Sequence, residues 1–146
     1  MPEESESVIF RNYVDAVGLH GLASAEAAGL GATEWYALSV LALAGHLTAG
    51  ELSAQVGLTT GAATRLIDRL ERGGHVRRVA DPDDRRRVLV EVATPPDVDT
   101  AVGPARRRLG ALLQQYTPEE REFLFDYFAR ATSAFREATE ELRKRS

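Results

Sequence analysis

Apolar residues fall at helical spacing over most of this chain, and the exception is a pair of short β-prone stretches near its middle. Val8, Ile9, Tyr13, Val17 and Leu19 predict a first helix over roughly Ser7 to Leu22, and the Ala- and Gly-rich stretch Gly18 to Gly31 predicts a break. Thr33 reads as an N-cap ahead of Glu34 and the apolar run Trp35 to Leu43, which Gly45 and His46 close. Thr48-Ala49-Gly50-Glu51 is a capping box, in which a threonine hydroxyl and a glutamate carboxylate each satisfy the other's backbone N–H. It predicts a short helix that buries Leu52 and Val56 and stops at Gly57. Thr59 or Thr60 then caps a longer helix ending at Gly73-Gly74. Its inward face is Ala63, Leu66, Ile67 and Leu70, and its outward face carries Thr60, Gly61, Thr64, Arg65, Asp68 and Arg69.

Two strands follow, His75 to Val79 and Val88 to Val92, joined by the charged turn Ala80-Asp81-Pro82-Asp83-Asp84-Arg85-Arg86-Arg87. Thr94-Pro95-Pro96 ends the second strand. A helical segment through Leu109, Leu112, Leu113 and Tyr116 comes next. Thr117-Pro118-Glu119-Glu120 opens a last helix, with a threonine cap, proline at the first helical position and acids in the first turn. That helix places Phe123, Leu124, Tyr127, Phe128, Ala131 and Phe135 on one side. The expected fold is mainly α with a small β-hairpin wing.

Charge sharpens this outline. The net charge is −4, but residues 1–60 hold one arginine against seven acids, whereas residues 61–90 hold eight arginines against five acids. A basic centre between acidic flanks suits a chain whose middle alone meets phosphate. An ordinary solvated face would look the same by charge alone. With no cysteine, disulfides, thiolate metal sites and thiol redox switches are excluded. No run reaches the roughly 20 apolar residues of a membrane span, and the acidic start MPEESESV is unlike a secretory leader, so a cytoplasmic location is expected. At 146 residues one compact domain is expected.

The helix pair around Gly57 has the form of a helix-turn-helix. A helix that enters the major groove, about 12 Å wide, needs small and polar residues in its first turns. Thr59, Thr60, Gly61, Ala62, Thr64 and Arg65 meet that need. Arg65 can donate twice to guanine O6 and N7, and the threonines can bond phosphate or a base edge. Arg69, one turn on, is expected to hold phosphate or to pair with Asp68. At the hairpin tip Arg85, Arg86 and Arg87 have no evident folding role, and a narrow minor groove attracts an inserted arginine. Asp84 is positioned to orient one of these guanidinia by a bidentate pair. Arg77 on the first strand completes the basic set.

Residues 33 to 94 resemble the MarR (multiple antibiotic resistance regulator) family of winged helix-turn-helix proteins. The stretches that carry the resemblance are Leu52 to Leu58, Ala63 to Glu71, Gly74 to Arg78 and Asp81 to Val90, with the wing pattern Asp84-x-Arg86 among the more specific of them. The resemblance implies that Arg86 enters the minor groove while Asp84 positions it. It also implies a homodimer, with residues 1–32 and 95–146 as dimerisation helices and 33–94 as the DNA-binding lobe. Two lobes would then meet half-sites of a pseudo-palindromic operator, with repression the expected outcome. A small aromatic or phenolic effector is a further implication, for which Tyr13, His20, Trp35 and Tyr36 are the candidate contacts.

Other functions find less support. There is no Gly-rich phosphate loop, cysteine nucleophile or G-x-S-x-G elbow, so no enzyme activity and no cofactor is expected. His20, His46 and His75 are scattered along the chain, which argues against a metal sensor. The alternative is a winged-helix module that binds protein and not DNA. Such a module has little reason to keep Arg85, Arg86 and Arg87 beside Arg65.

Overall fold

A computed structural model describes residues 5–93 and 103–145. Thr94-Pro95-Pro96 lies outside the described residues. The chain divides into two compact units, Met1–Gly103 and Pro104–Ser146. The first unit holds α1 (Glu6–Ala27), α2 (Ala32–Ala44), β1 (His46–Thr48), α3 (Ala49–Val56), α4 (Thr60–Arg72), β2 (Val76–Ala80) and β3 (Val88–Val92). Then come α5 (Gly103–Leu113) and α6 (Pro118–Lys144).

The expected break in the Ala/Gly-rich stretch comes later than its composition suggests. Helix α1 runs unbroken through Gly18 and Gly21 to Ala27. Two interior glycines cost only about 1 kcal/mol each relative to alanine, and Ala23, Ala25 and Ala27, which follow them, favour helix. The chain turns instead at Gly29, whose φ of 69° is accessible to glycine at little cost. The cap of α2 also differs from expectation. Gly31 occupies the N-cap, and Thr33 lies inside the helix. Glu34 is what selects this start, because its Oε2 accepts from the Gly31 N–H at 3.2 Å.

The helix-turn-helix forms as its sequence predicts. Thr48 Oγ1 accepts from the Glu51 N–H at 3.1 Å while Glu51 Oε2 accepts from the Thr48 N–H at 2.8 Å. Gly57 ends α3 with a φ of 69°. The buried Ser53 then fastens the turn: its hydroxyl donates to Leu58 O at 2.7 Å, and its carbonyl accepts from the Leu58 N–H at 3.1 Å. Thr59, not Thr60, caps α4, accepting from the Ala62 N–H at 3.2 Å. Ala63, Leu66, Ile67 and Leu70 are all buried, the inward face expected from their spacing. Leu66, Ile67 and Leu70 join Leu38, Leu41, Leu52, Val56, Val76 and Val90 in one core.

The sheet has one strand more than the sequence suggests. His46, read as part of the close of α2, instead opens β1 (His46–Thr48), which pairs antiparallel with β3 and gives the order β1-β3-β2. Three residues are too few to show an alternating pattern, which is why β1 is invisible to periodicity. Strand β2 is therefore an edge. Val76 faces Val92 and Ala80 faces Val88 across the hairpin.

In the second unit, Thr117 and Glu120 close a full capping box at the start of α6. Tyr116 lies beyond the end of α5, contrary to the reading that placed it on that helix. No described residue of α6 is buried. Phe123, Phe125, Tyr127, Phe128 and Phe135 stand exposed along it. On α1 the same is true of Val8, Ile9, Phe10, Tyr13, Val17, Leu19 and Leu22. No single helix among the described residues is long and apolar enough to cross a membrane.

Candidate nucleic-acid interface

Helix α4 is amphipathic because its inward residues fill the core, so Thr60, Gly61, Thr64, Arg65 and Arg69 are turned outward and exposed. Their hydroxyls are not equivalent. Thr59 Oγ1 is an acceptor within its cap, which leaves its O–H available as a donor. Thr64 Oγ1 spends its proton on Thr60 O at 3.0 Å, so outwardly it is an acceptor.

The basic set separates into two groups. Arg69 Nε donates to Glu34 Oε1 at 3.0 Å, and the expected partner Asp68 is not used by it. Asp68 belongs to Arg78, whose guanidinium reaches Asp68 Oδ1 at 2.6 Å and Glu71 Oε1 at 2.8 Å. Arg77 Nε lies 2.6 Å from Glu91 Oε1, its directly opposed neighbour on β3. Arg72 Nε donates to the Asp68 carbonyl at 3.4 Å. Arg87 lies 3.5 Å from Glu51 and 3.6 Å from the buried Asp81. By contrast, among the described residues no hydrogen bond or carboxylate pair engages the guanidinia of Arg65, Arg85 and Arg86, whereas Arg72 lacks a carboxylate but keeps its bond to the Asp68 carbonyl. Those three stand on α4 and at the wing tip.

Asp84 orients the wing differently from expectation. Among the described residues its carboxylate makes no pair with a guanidinium; Oδ1 accepts from the backbone N–H of Arg86 at 3.0 Å. The Asp84 carbonyl accepts from the Arg87 N–H at 2.9 Å. Asp81 makes a similar local turn, accepting from the Asp83 N–H at 2.9 Å. These short carboxylates outcompete solvent for nearby N–H groups, as is usual for aspartate in turns. The tip is thereby built from backbone contacts, and the Arg85 and Arg86 side chains remain exposed.

Electrostatics follow the contacts. The Arg69 hydrogen bond holds the Glu34 carboxyl below its ordinary range, with Gly31 N–H adding to the effect against partial burial. Glu51 is lowered chiefly by its bond from the Thr48 N–H. The Asp68 and Glu71 carboxylates raise Arg78 further above its already high value.

The effector candidates are not gathered into one cluster. Tyr13 and His20 share a face of α1, seven residues apart, and His20 Nε2 is 3.5 Å from Ser24 Oγ. Trp35 and Tyr36 lie in the first half of α2. Among the described residues no ring contact or hydrogen bond joins the two pairs, and no group of three or more His, Cys, Asp or Glu is placed to hold a metal ion.

A helix-turn-helix followed at once by an antiparallel hairpin defines a winged helix-turn-helix, a class that binds DNA. Residues 28–87 match the profile of the MarR family. An HTH-type transcriptional regulator of Bacillus subtilis, YcgE, is 35% identical over 144 residues, covering 97% of this chain and 94% of its own. A point mutant of S. aureus MepR from a multidrug-resistant clinical isolate superposes with a TM-score of 0.73 at 20% identity, over 91% of this chain and 99% of its own. A second MepR point mutant, bound to an oligodeoxyribonucleotide, has a TM-score of 0.61 at 20% identity, over 91% and 99%. NadR in complex with 4-hydroxyphenylacetate has a TM-score of 0.63 at 21% identity, over 90% and 97%. The chain belongs to the MarR family of transcriptional regulators and carries its DNA-binding winged helix.

Proposed function

We propose that this chain is a homodimeric repressor that reads a pseudo-palindromic operator in double-stranded DNA and is released by a small aromatic or phenolic effector. One observation carries the reading of DNA. In the arginine-rich stretch 61–90, the guanidinia without an internal partner among the described residues are Arg65 on α4 and Arg85 and Arg86 at the wing tip. A folding role would have matched them with carboxylates, as it does for Arg69, Arg77, Arg78 and Arg87.

In this reading Arg65 takes a guanine edge in the major groove, and Arg86 enters the adjacent minor groove with Arg85 on the backbone. Thr59 donates to a phosphate at the start of α4, where the helix dipole also favours an anion. Thr60, Gly61 and Thr64 let the backbone approach the bases. The pairs of Arg69, Arg77 and Arg87 leave roughly half of each side chain exposed. Surface pairs of that kind are worth about 0–1 kcal/mol, so these arginines can exchange their carboxylates for phosphate.

The helices of residues 1–32 and 95–146 supply the dimer, supported by the aromatic and aliphatic rows that α1 and α6 leave exposed. Tyr13 and His20 on α1 and Trp35 and Tyr36 on α2 are the proposed effector contacts, and the phenolic ligand of NadR supports the chemical class. The effector acts by binding better to the conformation whose lobes do not fit the operator. The protein regulates and does not catalyse.

Selection of bound duplexes from a random pool tests the whole reading. A palindromic consensus is expected, bound by two chains, with affinity falling steeply as salt rises because phosphate contacts release counterions. Recovery of no consensus would sink it. Titration with a panel of phenolic acids tests the effector, read as a shift in operator affinity.

A further inference from the structure

Strand β2 ends in the wing tip at Ala80, and among the described residues no strand lies beside its outer edge. Helix α4 reaches that strand through Glu71 and Asp68. Glu71 Oε2 accepts from the Arg78 backbone N–H at 3.2 Å while Glu71 Oε1 accepts from Arg78 Nη1 at 2.8 Å. The other terminal nitrogen of Arg78 donates to Asp68 Oδ1 at 2.6 Å. Asp68 and Glu71 are three residues apart and so share one side of the helix. A planar guanidinium spans two such carboxylates with its two terminal nitrogens, which a lysine ammonium cannot reproduce. Only 30% of the Arg78 side chain is exposed, against 60% for its neighbour Arg77.

We propose that Arg78 is a positioning residue for DNA recognition: clamped by Asp68 and Glu71, it sets the orientation of the wing stem relative to the reading helix. It touches no DNA itself. The inference rests on the operator-reading function proposed above. A specific site needs the Arg65 and Arg86 guanidinia to reach their two grooves at once. Non-specific binding needs only positive charge near phosphate. Loosening the clamp therefore lowers affinity for the operator much more than affinity for an unrelated duplex.

Fluorescence anisotropy on both duplexes over a range of salt concentrations tests this, using R78M, R78K and the double variant D68N/E71Q. Far-ultraviolet circular dichroism and thermal melts establish that each variant is folded. R78M is expected to lose on the order of ten-fold on the operator, with an unchanged salt slope and little change on the unrelated duplex. D68N/E71Q leaves the arginine in place and should produce the same selective loss, even if R78M fails to fold. R78K restores part of it. Combining R78M with D68N/E71Q adds little to either, since coupled residues are not additive.

Equal losses on both duplexes with a salt slope reduced by about one would make Arg78 a phosphate contact and overturn the proposal. So would wild-type operator affinity in D68N/E71Q. A wild-type chain that prefers no sequence brings down the operator-reading function, and the positioning role with it. The other outcomes bear on Arg78 alone.

Discussion

Glu34 divides its carboxylate between two elements, Oε2 accepting from the Gly31 N–H at 3.2 Å and Oε1 from Arg69 Nε at 3.0 Å. One side chain thus closes the N-terminus of α2 and holds a residue on the outer face of α4. Glu51 repeats the arrangement at α3, with Oε2 on the Thr48 N–H and Oε1 3.5 Å from Arg87 of the wing. Two capping glutamates therefore each reach an arginine, one on α4 and one at the wing.

The Glu34 arrangement sets an acid-side stability dependence. Hydrogen bonding from Arg69 holds this carboxyl below its ordinary range in the folded chain. A depressed folded value means stability that is present above the unfolded pKa, about 4.3, and is lost as pH falls through the folded value. E34Q keeps an oxygen for Gly31 but removes the charge. It should cost up to about 1 kcal/mol at neutral pH and flatten the decline below pH ~4.3. Urea unfolding between neutral and acid pH reads this directly, and parallel curves for wild type and E34Q would contradict it.

Among the described residues Arg65 has no carboxylate partner, so R65A should leave thermal stability nearly unchanged. On the operator it should cost about 1–3 kcal/mol and relax the preference at one base position. Thermal melts read the first effect, and gel shifts on a set of single-base operator variants read the second. A uniform loss across that set would reassign Arg65 to the backbone.

The wing gives a sharper test of how Asp84 works. Because Oδ1 accepts from the Arg86 N–H, asparagine can replace it and alanine cannot. D84N should therefore bind the operator nearly as wild type. D84A should lose about 0.5–1.5 kcal/mol, mostly on sites with A·T-rich flanks where the minor groove is narrow. If gel shifts show D84N as impaired as D84A, the charge matters and the turn does not explain it.

Much of the fold was legible because local chemistry and periodicity agree. Thr48 with Glu51, Gly57, and the inward row Ala63, Leu66, Ile67 and Leu70 each point to the same helix-turn-helix. What escaped was set by contacts between distant residues. Strand β1 exists because Leu47 pairs with Val90, far along the chain. The start of α2 depends on a glutamate whose other oxygen is engaged by α4. The arginines were legible as a basic stretch, but which of them are paired depends on the carboxylates at 34, 51, 68, 71, 81 and 91. Of the two roles left open for Arg69, phosphate or a pair with Asp68, the pair does not form, since adjacent residues on a helix do not face each other. It likewise misread Asp84, which takes a backbone N–H in place of a guanidinium.

The apolar rows on α1 and α6 give the last prediction. Ile9 and Phe135 are 55% and 54% exposed within one chain, so their substitution removes little of the chain's own packing. In a homodimer whose two-fold interface is built by these helices, each is desolvated by the partner chain. A charge placed there must be buried or the interface must open, and desolvating an unpaired carboxylate costs several kcal/mol. I9E and F135E should each shift the chain from dimer to monomer in sedimentation equilibrium while circular dichroism stays that of a folded protein. Operator affinity should fall with the dimer, because a monomer presents one reading head to a two-part site, whereas binding to a single half-site should be retained. Variants that remain dimeric at micromolar concentration would place the interface elsewhere.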